Sequence, residues 1–447
     1  MLFNPFVNRT GLLIKSPLAK KVFEEDLLTL FFKEGFLKIL LIPLAIFSFA
    51  QSALADTCVE CHKNLAGDLS QPVFAYQGDV HSSHNFSCKD CHGGDDSTME
   101  PALAMNPAKG WVGKVKGEKV VEMCARCHSN PEFMKGYNPS LRVDQAELYW
   151  TSIHGQRLKA GNLKPATCSS CHSSHGIYKP DDKRSKVHPQ NVPATCASCH
   201  SNEKFIKEFN IPTNQYDEYK ESVHGIALLK KGDLSSPACN DCHGNHGAVP
   251  PGIKSIAYVC SQCHPIQQEL FMSSPHGNAL VTTGSPSCSD CHNKHKILSP
   301  TDNMLGIQNG AVCIECHSEG DGGWLVAKLM RERIDTFKKS LANTKRLVRD
   351  AEEHGMPSVD AEYLLQQAES NLIKSRTIIH SFTLTNVEAV IGEGIANTDK
   401  ARSQAEKFLD ELTFRKAGLW ATWLFIALFL IGIYFKVRDL DRARGKC

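Results

Sequence analysis

The residues of this chain best suited to chemistry are cysteines and histidines in one repeated pattern, Cys-x-x-Cys-His. The sequence has 19 cysteines, and every one except Cys447 belongs to a copy of this pattern. In c-type haem attachment the two thiols bond covalently to the porphyrin, and the adjacent histidine binds its iron. A zinc half-site or a redox dithiol could account for one copy but not for nine. The nine copies are Cys58, Cys61 and His62; Cys88, Cys91 and His92; Cys124, Cys127 and His128; Cys168, Cys171 and His172; Cys196, Cys199 and His200; Cys239, Cys242 and His243; Cys260, Cys263 and His264; Cys288, Cys291 and His292; and Cys313, Cys316 and His317.

The spacing of the motifs limits the fold that can hold them. All nine lie between residues 58 and 317, which leaves too few residues per motif for an ordinary apolar core. We therefore expect a mainly α fold with extensive loops, cored by nine covalently bound haem c groups and dependent on them for folding. The formal net charge is +2, but two propionates on each haem would make the loaded protein acidic. Nucleic acid is then an unsuitable partner, whereas a basic redox protein is a suitable one.

Further histidines recur with the motifs and predict a repeat. Three segments combine an acidic residue, an aromatic residue, a serine and His-Gly: Glu147–Gly155, Asp217–Gly225 and Glu269–Gly277. A shorter version contains Tyr76 and His81. In three motifs a second histidine follows three residues after the motif histidine, at His175, His246 and His295. Repeat units are expected to start near residues 58, 124, 196 and 260, with a closing motif at 313.

These recurring histidines are the expected distal ligands, on the iron face opposite the motif histidine. An iron with histidine on both faces is closed to substrates and only passes electrons. Nine irons need nine such ligands, and His84 and His380 are the choices that complete the set, with methionine as another possibility. His188 and His354 are equally suited to being distal ligands or ordinary surface residues. The expected distal ligands are His81, His84, His154, His175, His224, His246, His276, His295 and His380.

The ends of the chain predict export and a membrane anchor. Residues 1–55 read as a signal peptide cleaved after Ala55, or else as a retained anchor. Residues 417–435 are uncharged and long enough to cross a bilayer. Aromatic residues near the ends of this stretch and the basic tail 436–447 place the C-terminus in the cytoplasm. The haem domain, residues 56–320, would then face the periplasm from the inner membrane of a prokaryote.

The segment 324–415 contains no cysteine and predicts an antiparallel helical bundle or stalk. Its first helix has apolar residues at helical spacing, including Leu325, Leu329, Ile334 and Phe337. Gly355 and the proline after it predict the end of that helix, and a second helix is expected to start near residue 358. A third is expected to carry Ala401, Ala405, Phe408 and Leu412 and to continue into the membrane span. The bundle either holds the haem domain away from the membrane or simply caps it.

The paired motifs of residues 58–317 resemble the exported multihaem cytochromes that include class III cytochromes c and multihaem respiratory cytochromes. That resemblance implies electron relay between the quinone pool, periplasmic carriers and terminal reductases, although some members are themselves reductases. The helices after the motifs are similar to those of the multihaem nitrite reductase and hydroxylamine oxidoreductase group. Such nitrite reductases carry a Cys-x-x-Cys-Lys motif, which this sequence lacks. Tetrahaem quinol dehydrogenases are anchored by an N-terminal helix, in contrast to the C-terminal span expected here.

Two functions follow as hypotheses. The first is a membrane-tethered relay with no catalytic residues, linking a quinone-linked or b-haem membrane subunit to periplasmic cytochromes. The second is a terminal oxidoreductase for a small nitrogen or sulfur compound at one open haem, and a structural or haem-storage role is a third reading. The second function requires an open iron, and Cys88–His92 or Cys313–His317, which the repeat does not cover, would be its site. No dinucleotide or phosphate-binding motif points to a nucleotide cofactor.

Overall fold

The computed structural model describes residues 56–249 and 258–445, and within these ranges the chain is helical with no strand. The expected mainly α fold is confirmed. The expected signal peptide lies outside the described residues. Before residue 320 the helices are short, and the loops between them are long. The α-helices of this part are Thr57–His62, Gln71–Tyr76, Cys88–His92, Pro101–Ala104, Glu118–His128, Pro131–Lys135, Gln145–Thr151, Ile153–Lys159, Cys168–His172, Val192–His200, Glu203–Ile206, Gln215–Glu221, Val223–Gly225, Cys239–His243, Pro265–Met272, Pro275–Thr283 and Cys288–His292.

Single turns of other helix types complete this part of the chain. The 3-10 turns are Gly67–Leu69, Ser82–His84, Pro107–Lys109, Lys207–Phe209, Asp302–Met304 and Val312–Glu315, and a π-helical turn covers Ile226–Lys230. Such tight turns are frequent as connectors between short helices.

The second motif of each pair forms a one-turn helix with its own start and stop signals. In Cys88–His92 the Asp90 carboxylate accepts a hydrogen bond from the backbone N–H of Ser87 at 2.6 Å, and Asp290 does the same for Ser287. This is half of a capping box, which satisfies an otherwise unpaired backbone donor at a helix start. Each helix ends where the next residue takes a positive φ, as at Gly93 and Gly244. These local signals fix the motif's conformation before any long-range contact forms.

Three long helices follow the last motif. The first long helix is Gly322–Glu353, the second is Val359–Ile378 and the third is Leu384–Arg444. Gly355, with φ of +78°, follows the end of the first helix, and Ser358 caps the second by accepting from the Ala361 N–H. All three pack on one another, and a 3-10 turn, Ile379–Ser381, joins the second to the third.

The bundle core follows alternating three- and four-residue spacings, the pattern that keeps one helix face on its partners. On the first long helix the buried residues are Ala327, Met330, Ile334, Phe337, Leu341, Thr344, Val348 and Ala351. Leu325, expected on this face, is 50% exposed, so the buried face starts at Ala327 instead. Phe337 packs directly over Gly394 of the third helix, where a Cβ would lie 2.3 Å from the phenyl ring. The close approach of these two helices therefore requires glycine at that position.

The third long helix extends far beyond the bundle. It has 61 residues, which corresponds to about 90 Å at the usual helical rise. Its last buried residue is Ala405, and the apolar stretch after it is fully exposed. This is one helix long and apolar enough to cross a membrane. An uninterrupted helix therefore connects the packed bundle to the candidate membrane span.

Asp302 joins the bundle to the motif-bearing part of the chain. Its carboxylate accepts from the Arg376 guanidinium at 2.8 and 2.9 Å and from Lys338 Nζ at 2.6 Å. Arg331 of the first long helix also donates to the Asp302 backbone carbonyl. The carboxyl is only 11% exposed, and the hydrogen bonds from Arg376 and Lys338 lower its pKa to about 2 despite the opposing effect of burial. This cluster fixes the end of the second helix, four residues before His380.

Candidate haem-binding sites

One continuous cavity of about 3520 Å³ runs through the motif-bearing part of the protein. At least one cysteine of every motif and the histidines of the first eight motifs line it, and the end of the second long helix closes part of one side through Arg376, His380 and Phe382. A cavity of this size lined by thiols and imidazoles is the space in which large prosthetic groups would form the core. The arrangement of the imidazoles across it tests whether haem fits.

Eight of the nine motif histidines face a second histidine. Two imidazoles bound through Nε2 to one metal at about 2 Å would have ring centroids about 6 Å apart. The observed separations match this spacing. They are 6.1 Å for His92–His175, 6.0 Å for His128–His81, 6.1 Å for His172–His246, 6.1 Å for His200–His154, 6.1 Å for His243–His295, 6.4 Å for His264–His224, 6.2 Å for His292–His380 and 6.0 Å for His317–His276.

The partners follow a regular rule along the repeat. The histidine of each Ser-x-His-Gly segment faces the first motif of the next unit, as His154 faces His200. The histidine that follows a motif faces the second motif of the preceding unit, as His246 faces His172. Each of these pairs therefore joins two neighbouring units, with the closing motif counted as the last unit. At the C-terminal end His380, from the turn between two long helices, takes the place of a histidine from a further unit.

The two kinds of pair differ in ring orientation. Pairs at the second motif of a unit are nearly parallel, with interplanar angles of 22°, 4°, 13° and 18°. Pairs at the first motif of a unit, and at the closing motif, are tilted by 84°, 57°, 39° and 51°. The relative orientation of two axial imidazoles changes the electronic symmetry at an iron between them. The array would thus hold two spectroscopic classes of iron in alternation.

Hydrogen bonds on Nδ1 orient several of these rings. His62, His92 and His243 place Nδ1 at 3.1, 3.1 and 3.4 Å from the carbonyl oxygens of Leu69, Val112 and Val249, respectively. A ring that donates Nδ1–H to a carbonyl presents the lone pair of Nε2 to a metal. Among the partner rings, His380 has Nδ1 at 2.9 Å from the Thr377 carbonyl oxygen.

His317 is oriented by the start of the first long helix. Its Nδ1 lies 3.1 Å from the Asp321 carboxylate, which also caps that helix. A Cβ on Gly323 would lie 2.1 Å from the His317 ring. The last motif is therefore built against the bundle.

Burial keeps many of the paired imidazoles in the neutral form that binds metals. It lowers the pKa of His154, His172 and His292, and the neighbouring imidazole of each pair lowers it further. The same holds for His128 and His276. A neutral ring with a free nitrogen lone pair is the form that coordinates iron.

A serine and a glycine fix the position of each Ser-x-His-Gly histidine. Ser152 Oγ accepts from the Gly155 N–H at 2.9 Å, and Ser222 Oγ does the same for Gly225. A Cβ on Gly155 would lie 2.1 Å from the Tyr149 carbonyl oxygen, and on Gly225 the distance to the equivalent carbonyl would be 2.0 Å. Glycine is needed there because the new helix starts directly against the end of the previous one.

Asp79 replaces the serine in the first unit. Its carboxylate accepts from the His81 N–H at 2.8 Å, lies 2.9 Å from His81 Nδ1 and accepts from the Ile177 N–H at 2.7 Å. Burial opposes ionisation, but the hydrogen bonds from His81 and Ile177 outweigh it and hold the pKa of Asp79 below its usual value. Sequence reasoning missed this residue, although its place two residues before His81 matches that of Ser152 before His154.

One backbone hydrogen bond repeats at each junction between units. Val80 N–H donates to the Ile177 carbonyl at 2.8 Å, Ile153 to Ala248 at 3.1 Å and Val223 to Ile297 at 2.8 Å. Each donor directly precedes one partner histidine, and each acceptor lies two residues after another. A single bond thus sets the relative position of the partner histidines for two consecutive motifs.

The last junction uses an aromatic contact instead. Pro275 precedes His276 and has no N–H to donate. Phe382, two residues after His380, packs edge-on against the His276 ring with centroids 4.0 Å apart, and it also contacts Phe271. This contact could not be predicted from the sequence because the two segments are far apart in the chain.

Contacts between the motifs show their order in space. Asp56 accepts from the backbone N–H groups of Cys58 and Cys88 at 3.0 and 3.2 Å, which joins the first two motifs. Arg126, inside the third motif, donates to the Cys91 carbonyl of the second at 2.9 Å. Hydrogen bonds to neighbouring thiols raise the pKa of the first cysteine in three further pairs. These pairs are Cys124 with Cys168, Cys196 with Cys239, and Cys260 with Cys288.

The remaining neighbours in sequence are also neighbours in space. Burial raises the pKa of Cys171 to about 11, and the nearby thiols of Cys196 and Cys199 contribute. Burial also raises the pKa of Cys291 to about 11, with a contribution from Cys313. In Cys242, burial and the nearby Asp241 raise the pKa, and Cys263 adds to the effect. The nine motifs therefore lie in a row that follows their order in the chain.

Three histidines stand apart from this pairing. The His84 ring packs edge-on against Tyr137 at 5.6 Å and faces no motif histidine at the common spacing. His188 is buried and its Nδ1 accepts from the Gln190 N–H. His354 lies at the end of the first long helix, with Nδ1 near the Asp350 carbonyl. The expectation that His84 completes the ligand set thus has no support in the geometry.

The expected location of an open iron also needs correction. The candidates were the motifs Cys88–His92 and Cys313–His317. The structure places His175 opposite His92 and His276 opposite His317. Both rings come from segments distant in sequence, which explains why inspection of the residues beside each motif did not find them.

The comparison with known families agrees with this site. Residues 233–318 match the Cytochrome c3 family, and this segment contains the last four motifs. No curated protein and no solved structure matches the chain. The helical fold, the motifs and the family match support a multihaem c-type cytochrome with covalently bound haem, which transfers electrons.

Proposed function

We propose that the chain is a membrane-tethered electron relay that carries nine haem c groups in a single row. The observation that carries this proposal is the set of eight imidazole pairs at 6.0 to 6.4 Å, of which seven join neighbouring units of the row and one joins the last unit to the bundle. Histidine on both faces leaves an iron no position for substrate, so these sites would exchange electrons only.

The chain's own residues prepare the sites for that task. The cysteines of each motif would hold the porphyrin, and the motif histidine with its partner would bind the iron, whose chemistry is one-electron exchange. Hydrogen bonds on Nδ1 orient the rings, as for His92 and His380. Burial lowers the pKa of His172 and His292, which favours the neutral form that would bind iron. A rigid ligand set reduces the rearrangement that accompanies each electron transfer.

The order of the motifs supports a linear path. Direct contacts join the first motif to the second and the second to the third, and thiol contacts continue the row to the ninth. Electrons would enter or leave at the two ends. The ninth motif adjoins the bundle through Asp321, so it lies at the end of the row nearest the membrane-directed helix.

Topology and partners complete the proposal. Residues 417–435 would cross the inner membrane of a prokaryote, the basic tail 436–447 would lie in the cytoplasm and the haem domain 56–320 in the periplasm. Residues 1–55 would direct export as a signal peptide. One helix offers little space for a quinone, so a quinone-linked or b-haem membrane subunit is the proposed donor or acceptor at one end. Periplasmic cytochromes are the proposed partners at the other.

The test uses the full-length protein matured in a host that attaches haem c. Intact mass and a haem assay should give nine haems per chain. Reduction by a soluble dye should then load close to nine electron equivalents in a potentiometric titration. A matched variant, Cys196→Ala with Cys199→Ala, should lose one haem and slow electron transfer from a donor at one end to an acceptor at the other. Fewer haems than motifs, or unchanged transfer through the interrupted row, would contradict the proposal.

A further inference from the structure

His62 is the one motif histidine without an imidazole partner in the described structure. The sequence has 20 histidines, and all of them lie in the described ranges. Eight motif histidines have a partner at 6.0 to 6.4 Å. No histidine ring lies at this spacing from His62 among residues 56–249 and 258–445. The first motif therefore differs from the other eight on its distal side.

The proximal side of the first motif is built like the others. Thr57–His62 forms a helix, and His62 Nδ1 lies 3.1 Å from the Leu69 carbonyl, which presents Nε2 for a metal. Asp56 holds Cys58 beside Cys88 of the neighbouring motif. The site thus has the parts needed to attach and ligate a haem. The first motif differs from the other motifs only on its distal side, where no second imidazole faces His62.

The repeat explains the difference. The first motif of each later unit, and the closing motif, receives its partner from the unit before it, as His128 receives His81 and His317 receives His276. Residues 1–55 contain no histidine and no Cys-x-x-Cys-His motif that could supply such a partner to the first unit. The same rule leaves a gap at the C-terminal end, but there the bundle supplies His380. Among the described residues no histidine does the same for His62 at the N-terminal end.

The three unpaired histidines are placed elsewhere. His84 follows His81 by three residues, and its ring contacts Tyr137, which follows the third motif. His84 therefore lies at the junction of the first and second units, where His81 faces His128 of the third motif. His188 is held in a turn just before the fifth motif, and His354 lies in the bundle. None of the three therefore lies opposite His62, where the histidine of a preceding unit would lie.

We infer that the iron at the first motif has an exchangeable distal position that binds small molecules end-on. This inference rests on the haem attachment proposed above. It assigns the single open site to the end of the row farthest from the bundle. Ligands of this class include carbon monoxide for the reduced iron and cyanide for the oxidised iron. The earlier alternative, chemistry on a small nitrogen compound, would then belong to the first motif.

The experiment counts open irons in the full-length protein. Carbon monoxide is titrated into the dithionite-reduced protein, and the oxidised protein is examined by low-temperature EPR with and without cyanide. We expect one carbon monoxide per nine haems and one high-spin ferric signal that cyanide converts to low-spin. His84→Ala should leave both values unchanged. His81→Ala should add a second site, because it removes the partner of His128.

Location is tested with the eight partner histidines. Each single His→Ala variant should bind two carbon monoxide molecules, one at the first motif and one at the haem it opens. A variant that still binds one would identify its own haem as the open site and overturn the inference. Met99→Ala with Met105→Ala is a further variant, because both methionines line the cavity and Met99 follows Thr98, whose carbonyl accepts from Thr57 beside the first motif. A methionine there would be a weak ligand that carbon monoxide displaces. A methionine-type near-infrared band in the wild type that this double variant abolishes would also overturn it.

The outcome also separates the two proposals. Nine haems with no carbon monoxide binding and no high-spin signal would overturn the open site but leave the relay intact. Eight haems, with the first motif unmodified in peptide mass mapping, would overturn both the nine-haem relay and the open site. Nine haems with one exchangeable iron at the first motif supports both.

Discussion

The Asp302 cluster gives the sharpest test of how the bundle presents its histidine. Asp302→Asn removes the charge that Arg376 and Lys338 neutralise across the junction. Arg376 lies four residues before His380, the partner of His292. The substitution therefore removes an ion pair from the helix end that positions His380. We therefore expect the substitution to loosen the segment 373–382 specifically.

The magnitude follows from the pKa. The hydrogen bond from Arg376, with that from Lys338, lowers the pKa of Asp302 from 3.8 to about 2. A difference of this size corresponds to about 2.5 kcal/mol between the charged and neutral forms. The carboxylate is 11% exposed, but its two cations are 39% and 45% exposed. Solvent screening therefore reduces the expected loss to about 1 to 2 kcal/mol.

The assay is hydrogen exchange of the haem-loaded protein at pH 7. Amides of residues 373–382 should exchange about tenfold faster in Asp302→Asn, since about 1.4 kcal/mol corresponds to a factor of ten. Because the pKa is lower in the folded state, the stabilisation is complete above pH 3.8 and is lost as the pH falls towards 2. The difference between variant and wild type should shrink over the same range.

The matched control is Glu388→Gln. Its ion pair with Arg333, at 2.9 Å, also joins two long helices, but the two side chains are 37% and 55% exposed. An exposed pair of this kind contributes about 0 to 1 kcal/mol, so residues 373–382 should exchange less than about fivefold faster. Equal effects of the two substitutions, or protection unchanged by Asp302→Asn, would refute the reasoning.

Three further predictions concern the ligand geometry. His380→Ala should convert one low-spin iron to a form that binds carbon monoxide, because it leaves His292 without a partner. Gly225→Ala should disturb the ligation of one iron by displacing His224, because the new Cβ would lie 2.0 Å from the Tyr219 carbonyl; low-spin EPR intensity measures this. The EPR spectrum of the oxidised wild type should contain two classes of low-spin signal, since four imidazole pairs are within 22° of parallel and four are tilted by 39° or more. The more anisotropic class belongs to the tilted pairs, above all to the pair at 84°.

Each of these predictions has a control. His354→Ala removes a histidine of the bundle that faces no motif, so it should leave the carbon monoxide count unchanged. Gly392→Ala places a Cβ where no atom lies within 4 Å, and it should leave every low-spin signal unchanged. His380→Ala should remove intensity from the parallel class only, since its pair with His292 is at 18°. Loss from the tilted class would show that the pairing or the assignment is wrong.

The sequence predicted the fold class and the haem motifs because both depend on local patterns. Cys-x-x-Cys-His contains the whole covalent site within five residues, and heptad-like spacing specifies a long helix. The face of the first long helix was less predictable. Leu325 fits an apolar stripe, yet Ala327 is buried and Leu325 is half exposed, so the spacing of large apolar residues alone does not locate the start of the buried face.

The pairing of the histidines could be predicted only in part. The repeat identified seven recurring histidines, and the structure places each of these opposite a motif histidine. Which motif each one faces was not readable, because the partner always belongs to a neighbouring unit. The assumption that every iron has a protein ligand also led to His84, whose ring instead contacts Tyr137.

Pairing between neighbouring units makes the ends of the row different from its interior. Inside the row every unit gives one histidine forwards and one backwards, and a backbone bond such as Ile153 to Ala248 fixes both together. A unit at either end of the row lacks one partner histidine unless another part of the chain provides it. At the C-terminal end His380 and Phe382 provide a ligand and a packing contact at the same spacing as the repeat, two residues apart. Among the described residues no histidine replaces the missing partner at the N-terminal end. In the proposed nine-haem row, the repeat would therefore close eight irons and leave the iron of the first motif open, at an end where exchange with small molecules would not interrupt the row.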